Sequence, residues 1–328
     1  VPRVLAARGA GEGEASQSHG SPSDSASVHQ AAIRKHAEAL LKLLRRSVDR
    51  RCHFVDQKNS CSSGKSIASA SVAVMYSGGL DSAMLAHLAG EETAAEAGPI
   101  DLINICFAGG ESPDRLAALE GLKELQHLQP EREFRLIEVN ATLDDVDAMR
   151  EDLVALLKPA GTFMDLNIGA ALSLAAKCRG VLKRLAPAIG GDAWMENSSN
   201  FPAFEVVSRG YTSAARVILM GHGADEQCGG YRRHVTKFRE GGWSALAREV
   251  EMDVNRLWHR NLGRDDRCIS NQGREARFPF LDEEVALALH AMPIWVKVDP
   301  TKAQGEGDKQ VLRVIARDLL CLREAAKR

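Results

Sequence analysis

The amino-acid sequence predicts an α/β protein: a doubly wound parallel sheet with helices on both faces and a helical C-terminal part. Three observations predict it. Short β-prone apolar runs alternate with longer segments of helical spacing along the 328 residues. The run Val72–Tyr76 passes through Ser77-Gly78-Gly79 straight into Leu80, Met84, Leu85 and Leu88 at helical spacing. A later run at 216–220 ends in Gly221 and Gly223 before Ala224-Asp225-Glu226. In open sheets of this kind ligands sit outside the carboxyl ends of the strands. The loops after the strands at 72–76, 100–107 and 216–220 are therefore expected to converge on one crevice.

In order along the chain, residues 1–30 are rich in Ala, Gly and Ser and carry no aromatic residue, so they are expected to be disordered. Glu12, Glu14 and Asp24 weigh against reading them as a transit peptide. Ile33, Ala37, Leu40, Leu41, Leu44 and Val48 then form one apolar helical stripe. The segment 52–70 is expected to be a flexible linker. Its SCSSGKS, ending at Ser66, lacks the first glycine of a Walker A loop. Beyond the first strand and helix, strands are expected at 100–107 and 134–139, with a helix at 113–128 between them. A further helix carries Leu143, Val146, Met149, Leu153 and Leu157, and another covers 168–177. Residues 180–213 read as irregular. GRDDRCISNQGREARFPFLD, Gly263 to Asp282, reads as a charged turn joining helices. Val311, Leu312, Ile315 and Leu319 recur on one face of a C-terminal helix, with Lys309 at its start.

Composition bounds the function. A net charge of −2 asks for no nucleic-acid or membrane partner. No run approaches the roughly 18 apolar residues of a spanning helix. Seven scattered cysteines, an odd number without a C-x-x-C pair, suit a reducing compartment such as the cytosol rather than a disulfide framework or zinc site.

The first glycine loop has a definite chemistry. Gly78 and Gly79 let the backbone approach a ligand, and the following helix N-terminus favours an anion. Ser77 and Ser82 add hydroxyl donors. Asp81 repels phosphate unless a cation stands between them, and Mg²⁺ takes carboxylate and phosphate oxygens together. Ser77–Ser82 therefore reads as a cradle for pyrophosphate and Mg²⁺. Asp225, at the mouth of the second glycine loop, supplies a second carboxylate for that ion.

The string SGGLDS resembles the pyrophosphate loop of the ATP-pyrophosphatases, enzymes that split ATP into AMP and pyrophosphate. With Ser112-Pro113-Asp114, with GADE followed by Gly229-Gly230-Tyr231, and with ARFPFLD (Ala276–Asp282), it is similar to the synthetase domain of glutamine-dependent asparagine synthetases over about residues 35–328. MDLNIGAAL, Met164 to Leu172, resembles the domain-containing subgroup of that family. The resemblance implies an adenine nucleotide alpha hydrolase-like fold over 31–328 and an AMP-forming carbon–nitrogen ligase. Its substrates would be ATP with Mg²⁺, aspartate, and ammonia or glutamine-derived nitrogen. It implies nucleotide contacts at Tyr76, Ser77, Gly78, Gly79, Asp81, Ser82, Ile105, Met220 and Gly221. It implies Mg²⁺ ligands at Asp81 and Asp225 and catalytic groups at Lys309 and Asp225, with His222 in the second loop as a third catalytic candidate. Arg274, Glu275 and Arg277 would lie in the segment flanking the substrate.

Two departures shape the expectation. The second loop of the family usually reads Gly-Glu-Gly, and here its central residue is His222, which takes a proton near neutral pH without replacing a fixed anion. The N-terminal glutaminase domain is absent from this sequence, so nitrogen drawn from glutamine would need a separate glutaminase. Three readings follow: an asparagine-forming enzyme, a non-catalytic nucleotide-binding homologue with a regulatory or scaffold role, and an adenylating ligase for another acid.

Overall fold

The computed structural model describes residues 22–53, 67–94, 98–107, 109, 111–186 and 203–328. The stretch SCSSGKS and most of the expected linker lie outside them. Among the described residues one sheet forms from β1 (Val72–Met75), β2 (Ile100–Cys106), β3 (Phe134–Asn140), β4 (Arg179–Leu185), β5 (Phe204–Thr212), β6 (Val217–Leu219) and β7 (Glu275–Arg277). Its order is β5-β4-β3-β2-β1-β6-β7. β1 runs parallel to both neighbours, with Val74 opposite Leu102 on one side and Leu219 on the other. β2 and β3 pair in parallel over seven residues, and β6 and β7 also pair in parallel.

The chain thus winds outward from β1 through β2 and β3, then returns to place β6 on the other side of β1. Strand order reverses between β1 and β6, and a crevice opens at such a point beyond the strand ends. The strand pattern follows from the sequence. Val72 and Val74 point to one face of the sheet and Ala73 to the other, and all three are buried, as a strand covered on both faces requires.

One face is covered by α1 (Pro22–His53), α2 (Leu80–Glu92) and α3 (Pro113–Leu128), together with the C-terminal α10 (Glu283–Ala291), α11 (Ile294–Lys297) and α12 (Gln310–Val314). The other face is covered by α5 (Arg150–Leu157), α6 (Phe163–Ala176) and α9 (Gly263–Ser270). The short α4 (Leu143–Ala148) precedes α5, while α7 (Ala224–Cys228) and α8 (Arg232–Leu257) follow β6.

Several expectations change. The sheet is mixed, because β4 pairs antiparallel with β3 and β5 antiparallel with β4. The described residues of 180–213, a range expected to be irregular, are largely these two strands; 187–202 lie outside the described residues. Their charged and polar residues suit an edge with one solvated face. α1 reaches back to Pro22 and forward to His53, so it takes in residues assigned on composition to a disordered segment and a linker. The stripe from Leu143 to Leu157 is two helices broken at Met149, whose backbone (φ −112°, ψ 12°) leaves the helical region. α6 begins at Phe163, five residues early, because the Thr162 hydroxyl accepts from the Asp165 N–H at 3.1 Å and caps the helix. Gly263–Asp282 is no simple turn. It holds α9 and then β7, which adds an edge strand beside β6. Of the seven cysteines, Cys61 lies outside the described residues and the other six are free thiols. Among the described residues no helix is long and apolar enough to cross a membrane.

Candidate functional site

The crevice between β1 and β6 is a cleft of about 590 Å³. Ser77, Gly79, Asp81 and Ser82 line it from the first glycine loop, and Met220, Gly221, His222 and Asp225 from the second. Lys309 enters from the C-terminal helices. The first loop is held by its own hydroxyls. Gly79 N–H donates to Ser77 Oγ at 3.2 Å, and Ser82 Oγ donates to the Gly79 carbonyl at 3.1 Å. Gly79 precedes α2 without a side-chain cap, so the first-turn N–H groups remain available to an anion. Gly78 is obligatory here. Its φ is +78°, and a Cβ would stand 2.3 Å from the backbone carbonyl carbon of Ala117.

The centre of the cleft is a charged triad. Lys309 Nζ lies 2.6 Å from Asp81 Oδ2 and 2.8 Å from Asp225 Oδ1. Lys309 caps α12 with φ 50°, and its N–H donates to the Cys228 carbonyl at 3.1 Å, which ties the lysine to the end of α7. Burial pushes the Asp81 carboxyl up to about 6, against the pull of Lys309 and helped by the nearby Asp225. Burial acts against the Lys309 ammonium as well, but two carboxylates outweigh it and hold the amine protonated. One ammonium therefore does not compensate both acids fully. The approach is close enough that a Cβ on Gly230 would stand 1.9 Å from Asp225 Oδ1 and 2.6 Å from Lys309 Cε.

Mg²⁺ fits these donors. Asp81 Oδ1 is buried without a hydrogen-bond partner, and Asp225 is the more open of the two acids. Both are hard oxygen ligands, and Mg²⁺ bound with a nucleotide needs only one or two carboxylates because phosphates and water complete its shell. Asp81 and Asp225 would hold it. Among the described residues no group of three or more His, Cys, Asp or Glu side chains is arranged as a self-sufficient metal cage.

Not every expected site residue reaches the cleft. The Tyr76 side chain turns into the core under α3, where Gly121 leaves room for its hydroxyl. Gly78 is buried behind the loop, and its carbonyl accepts from Arg328 Nη1 at 2.7 Å. Ile105 packs into the core on the α6 face. None of the three lines the cleft. Among the described residues two loops line the cleft rather than three: β2 lies on the far side of β1 from β6, and the described residues of the loop after β2 do not reach it. Ser112, at the end of the third loop, instead caps α3 by accepting from Arg115 N–H at 3.1 Å. Arg274 donates to the Ser213 and Ala215 carbonyls, and Arg277 Nη1 to the Arg51 carbonyl at 2.5 Å. Neither they nor Glu275 line the cleft; they fasten β7 to its surroundings.

His222 does line the cleft. Its Nε2 lies 2.7 Å from Asp265 Oδ2, and its ring meets Phe278 edge-on at 5.7 Å. Burial lowers the imidazole's basicity, but Asp265 and the charge of Glu226 outweigh it and raise the pKa above the usual histidine value. Of the other lining residues, Glu226 was legible beside Asp225 at the mouth of the second loop, whereas Asn261 was not. Glu226 accepts from Tyr231 Oη at 2.5 Å, from Asn261 Nδ2 at 3.2 Å and from Gly223 N–H at 3.0 Å. Asn261 sits in a π-helical turn, Trp258–Leu262, that no apolar periodicity announces. Arg313 and Arg328 close the rim, with Arg313 donating to the Asp308, Ala326 and Arg328 carbonyls.

The family model described as asparagine synthase matches residues 62–169 and 236–322, more than half of the chain. The chain belongs to the asparagine synthase family. The first matched stretch carries the Ser77–Ser82 loop and the second carries Lys309, while His222 and Asp225 fall between the two. The chain is 32% identical over 329 residues to asparagine synthetase domain-containing protein 1 of Mus musculus, covering 87% of this chain and 49% of that protein. It is 34% identical over 293 residues to the Bos taurus protein of the same name, covering 76% and 42%. It is 30% identical over 296 residues to asparagine synthetase domain-containing protein YML096W of Saccharomyces cerevisiae, covering 86% and 49%. The chain thus spans about half the length of the curated relatives it matches. An asparagine synthase domain with a two-carboxylate, one-lysine centre at its strand switch point is what these findings establish.

Proposed function

We propose that this domain binds ATP with Mg²⁺, activates the side-chain carboxylate of aspartate as its adenylate, and transfers the acyl group to ammonia to give asparagine. The observation that carries the reading is Lys309, which bridges Asp81 and Asp225 beneath the Ser77–Ser82 loop. A carboxylate is inert to amines until one of its oxygens becomes a good leaving group. An aspartate oxygen attacks the α-phosphorus, the bond to the bridging oxygen breaks, and pyrophosphate leaves with the electron pair. The loop N–H groups and the Ser77 and Ser82 hydroxyls bind the departing phosphates. Lys309 then moves its charge from the carboxylates to the phosphate oxygens as negative charge builds up. Mg²⁺ supplies the counter-charge that lets Asp81 and Asp225 face those same oxygens. Ammonia attacks the acyl carbon, AMP leaves, and His222 takes the surplus proton.

The nitrogen is ammonia itself or ammonia released from glutamine by a separate glutaminase unit. The six free cysteines of the described residues support a reducing compartment, and we assign the cytosol. A second reading, nucleotide binding without turnover, draws on His222, which stands beside Asp265 as a potential cation in a position where the family usually carries an acid. Pyrophosphate release from Mg²⁺–ATP, with aspartate and ammonium present and then each omitted, tests the choice. Release that requires aspartate is expected. ATP binding without release would favour the second reading, and release driven by a different acid would change the substrate.

A further inference from the structure

His222 belongs to a chain of contacts that runs away from the cleft into the protein. Asp265, on α9, is fully buried. Its Oδ1 accepts from Arg264 Nε at 2.7 Å, and Arg264 Nη1 donates to Asp165 Oδ1 at 2.7 Å. Asp165 in turn accepts from the Thr162 hydroxyl at 2.6 Å, at the cap of α6. Asp265 Oδ2 is buried and accepts no hydrogen bond among the described residues, and His222 Nε2 lies 2.7 Å from it. Phe278 holds the ring from the side. His222 Nδ1 makes no hydrogen bond to any described residue.

The other acids lining the cleft are engaged. Asp81 and Asp225 face Lys309, Glu226 accepts three donors, and Asp308 accepts from Arg313 and from Gly305 N–H at 2.5 Å. His222 is the lining imidazole, and its Nδ1 remains unengaged.

We infer that Asp265 is a positioning residue for amide formation: it keeps the proton of neutral His222 on Nε2 and leaves Nδ1 to receive the proton from the attacking nitrogen. The inference rests on the adenylation reading above. The nitrogen lone pair forms the bond to the acyl carbon, the carbon–oxygen bond to AMP breaks, and the surplus N–H proton passes to Nδ1. Asp265 then faces the imidazolium. Arg264, itself held by Asp165, keeps the carboxylate in register. The charged groups that face His222 are Asp265 and Arg264 on α9 and Glu226 on α7.

The test compares the full chain with Asp265→Asn. Pyrophosphate release with aspartate is expected at the wild-type rate, whereas asparagine formation from ammonium falls on the order of 10-fold or more. The sign of the pH effect follows from the charge. Asp265 raises the His222 pKa, so its loss moves the acidic limb of asparagine formation to lower pH. An unchanged rate and limb would overturn the proposal. Nitrogen-15 NMR of histidine-labelled wild-type chain gives a readout that needs neither the variant nor turnover. Neutral His222 is expected as the Nε2–H tautomer, and the Nδ1–H tautomer would overturn the positioning role. If the wild-type chain releases no pyrophosphate, the adenylation reading fails and the base role of His222 falls with it, while the tautomer still decides what Asp265 does.

Discussion

Lys309 stands in a left-handed backbone conformation, φ 50°, that costs a non-glycine residue of order 1 kcal/mol or more. The position is retained because the turn aims the ammonium between two carboxylates that come from different strand ends. The consequence is testable at single residues. Lys309→Gln leaves Asp81 and Asp225 facing each other, and breaking a buried ion pair by removing one partner costs about 3–5 kcal/mol. Mg²⁺ is expected to restore part of that stability in urea unfolding, because it replaces the missing positive charge. Asp81→Ala removes the ligand instead. Its expected outcome is loss of the Mg²⁺–ATP melting shift, which at 100-fold excess over Kd is worth ~2.7 kcal/mol in a binding-competent chain. A shift unchanged by Asp81→Ala would remove Asp81 from the cation site. The place of Ser77, Ser82, Asp81 and Asp225 at the cleft was legible as residue types at the ends of strands. The partnership of His222 with Asp265, 43 positions away in the chain, was not, because two isolated residues carry no period or spacing to link them.

At the scale of elements, the loop between β1 and α2 works because α3 packs directly against it. Gly78 is the contact point. Gly78→Ala meets both a φ of +78° and the Ala117 backbone at 2.3 Å, so α3 has to shift. Gly273 has a similar φ of +70° with nothing within 4 Å of a Cβ, so Gly273→Ala carries the conformational cost alone. Equilibrium unfolding is expected to show about 1 kcal/mol for Gly273→Ala and clearly more for Gly78→Ala. Equal losses would show that α3 yields freely and that the close approach is not what selects glycine. The strongly periodic helices, α2 and α3, could be read from apolar spacing. Helix ends were less legible: the Thr162 cap starts α6 early, and the non-helical backbone at Met149 separates α4 from α5. The short β7 escaped notice because three residues, Glu275–Arg277, carry no alternation.

At the scale of the molecule, the described residues of the sheet separate two main apolar cores, and α1 closes the larger one. Leu40, Leu44 and Val48 are buried against α2, α10 and α12, far away in sequence. Each fully buried aliphatic side chain contributes about 1.5–3 kcal/mol, which for these three alone is comparable to the 5–15 kcal/mol net stability of an ordinary domain. A chain beginning at residue 67 is therefore expected to lose its cooperative calorimetric transition and to bind an apolar dye. A sharp transition in that truncated chain would mean that α1 is an appendage rather than a wall of the core. The cleft depends on the same global arrangement, since its two loops meet only because β6 returns to the other side of β1.

By itself the sequence determined the fold class, the central parallel strands, the Ser77–Ser82 loop and the two carboxylates at the strand ends. Local propensity and period carry that information, because each of these features is written in a few consecutive residues. The tertiary structure alone decided which loops face each other. It turned Tyr76 and Ile105 away from the cleft, set Lys309 between Asp81 and Asp225, and put Asp265 beside His222. Those relations are distances between remote parts of the chain, and they come into being only when strand order and helix packing bring the parts together.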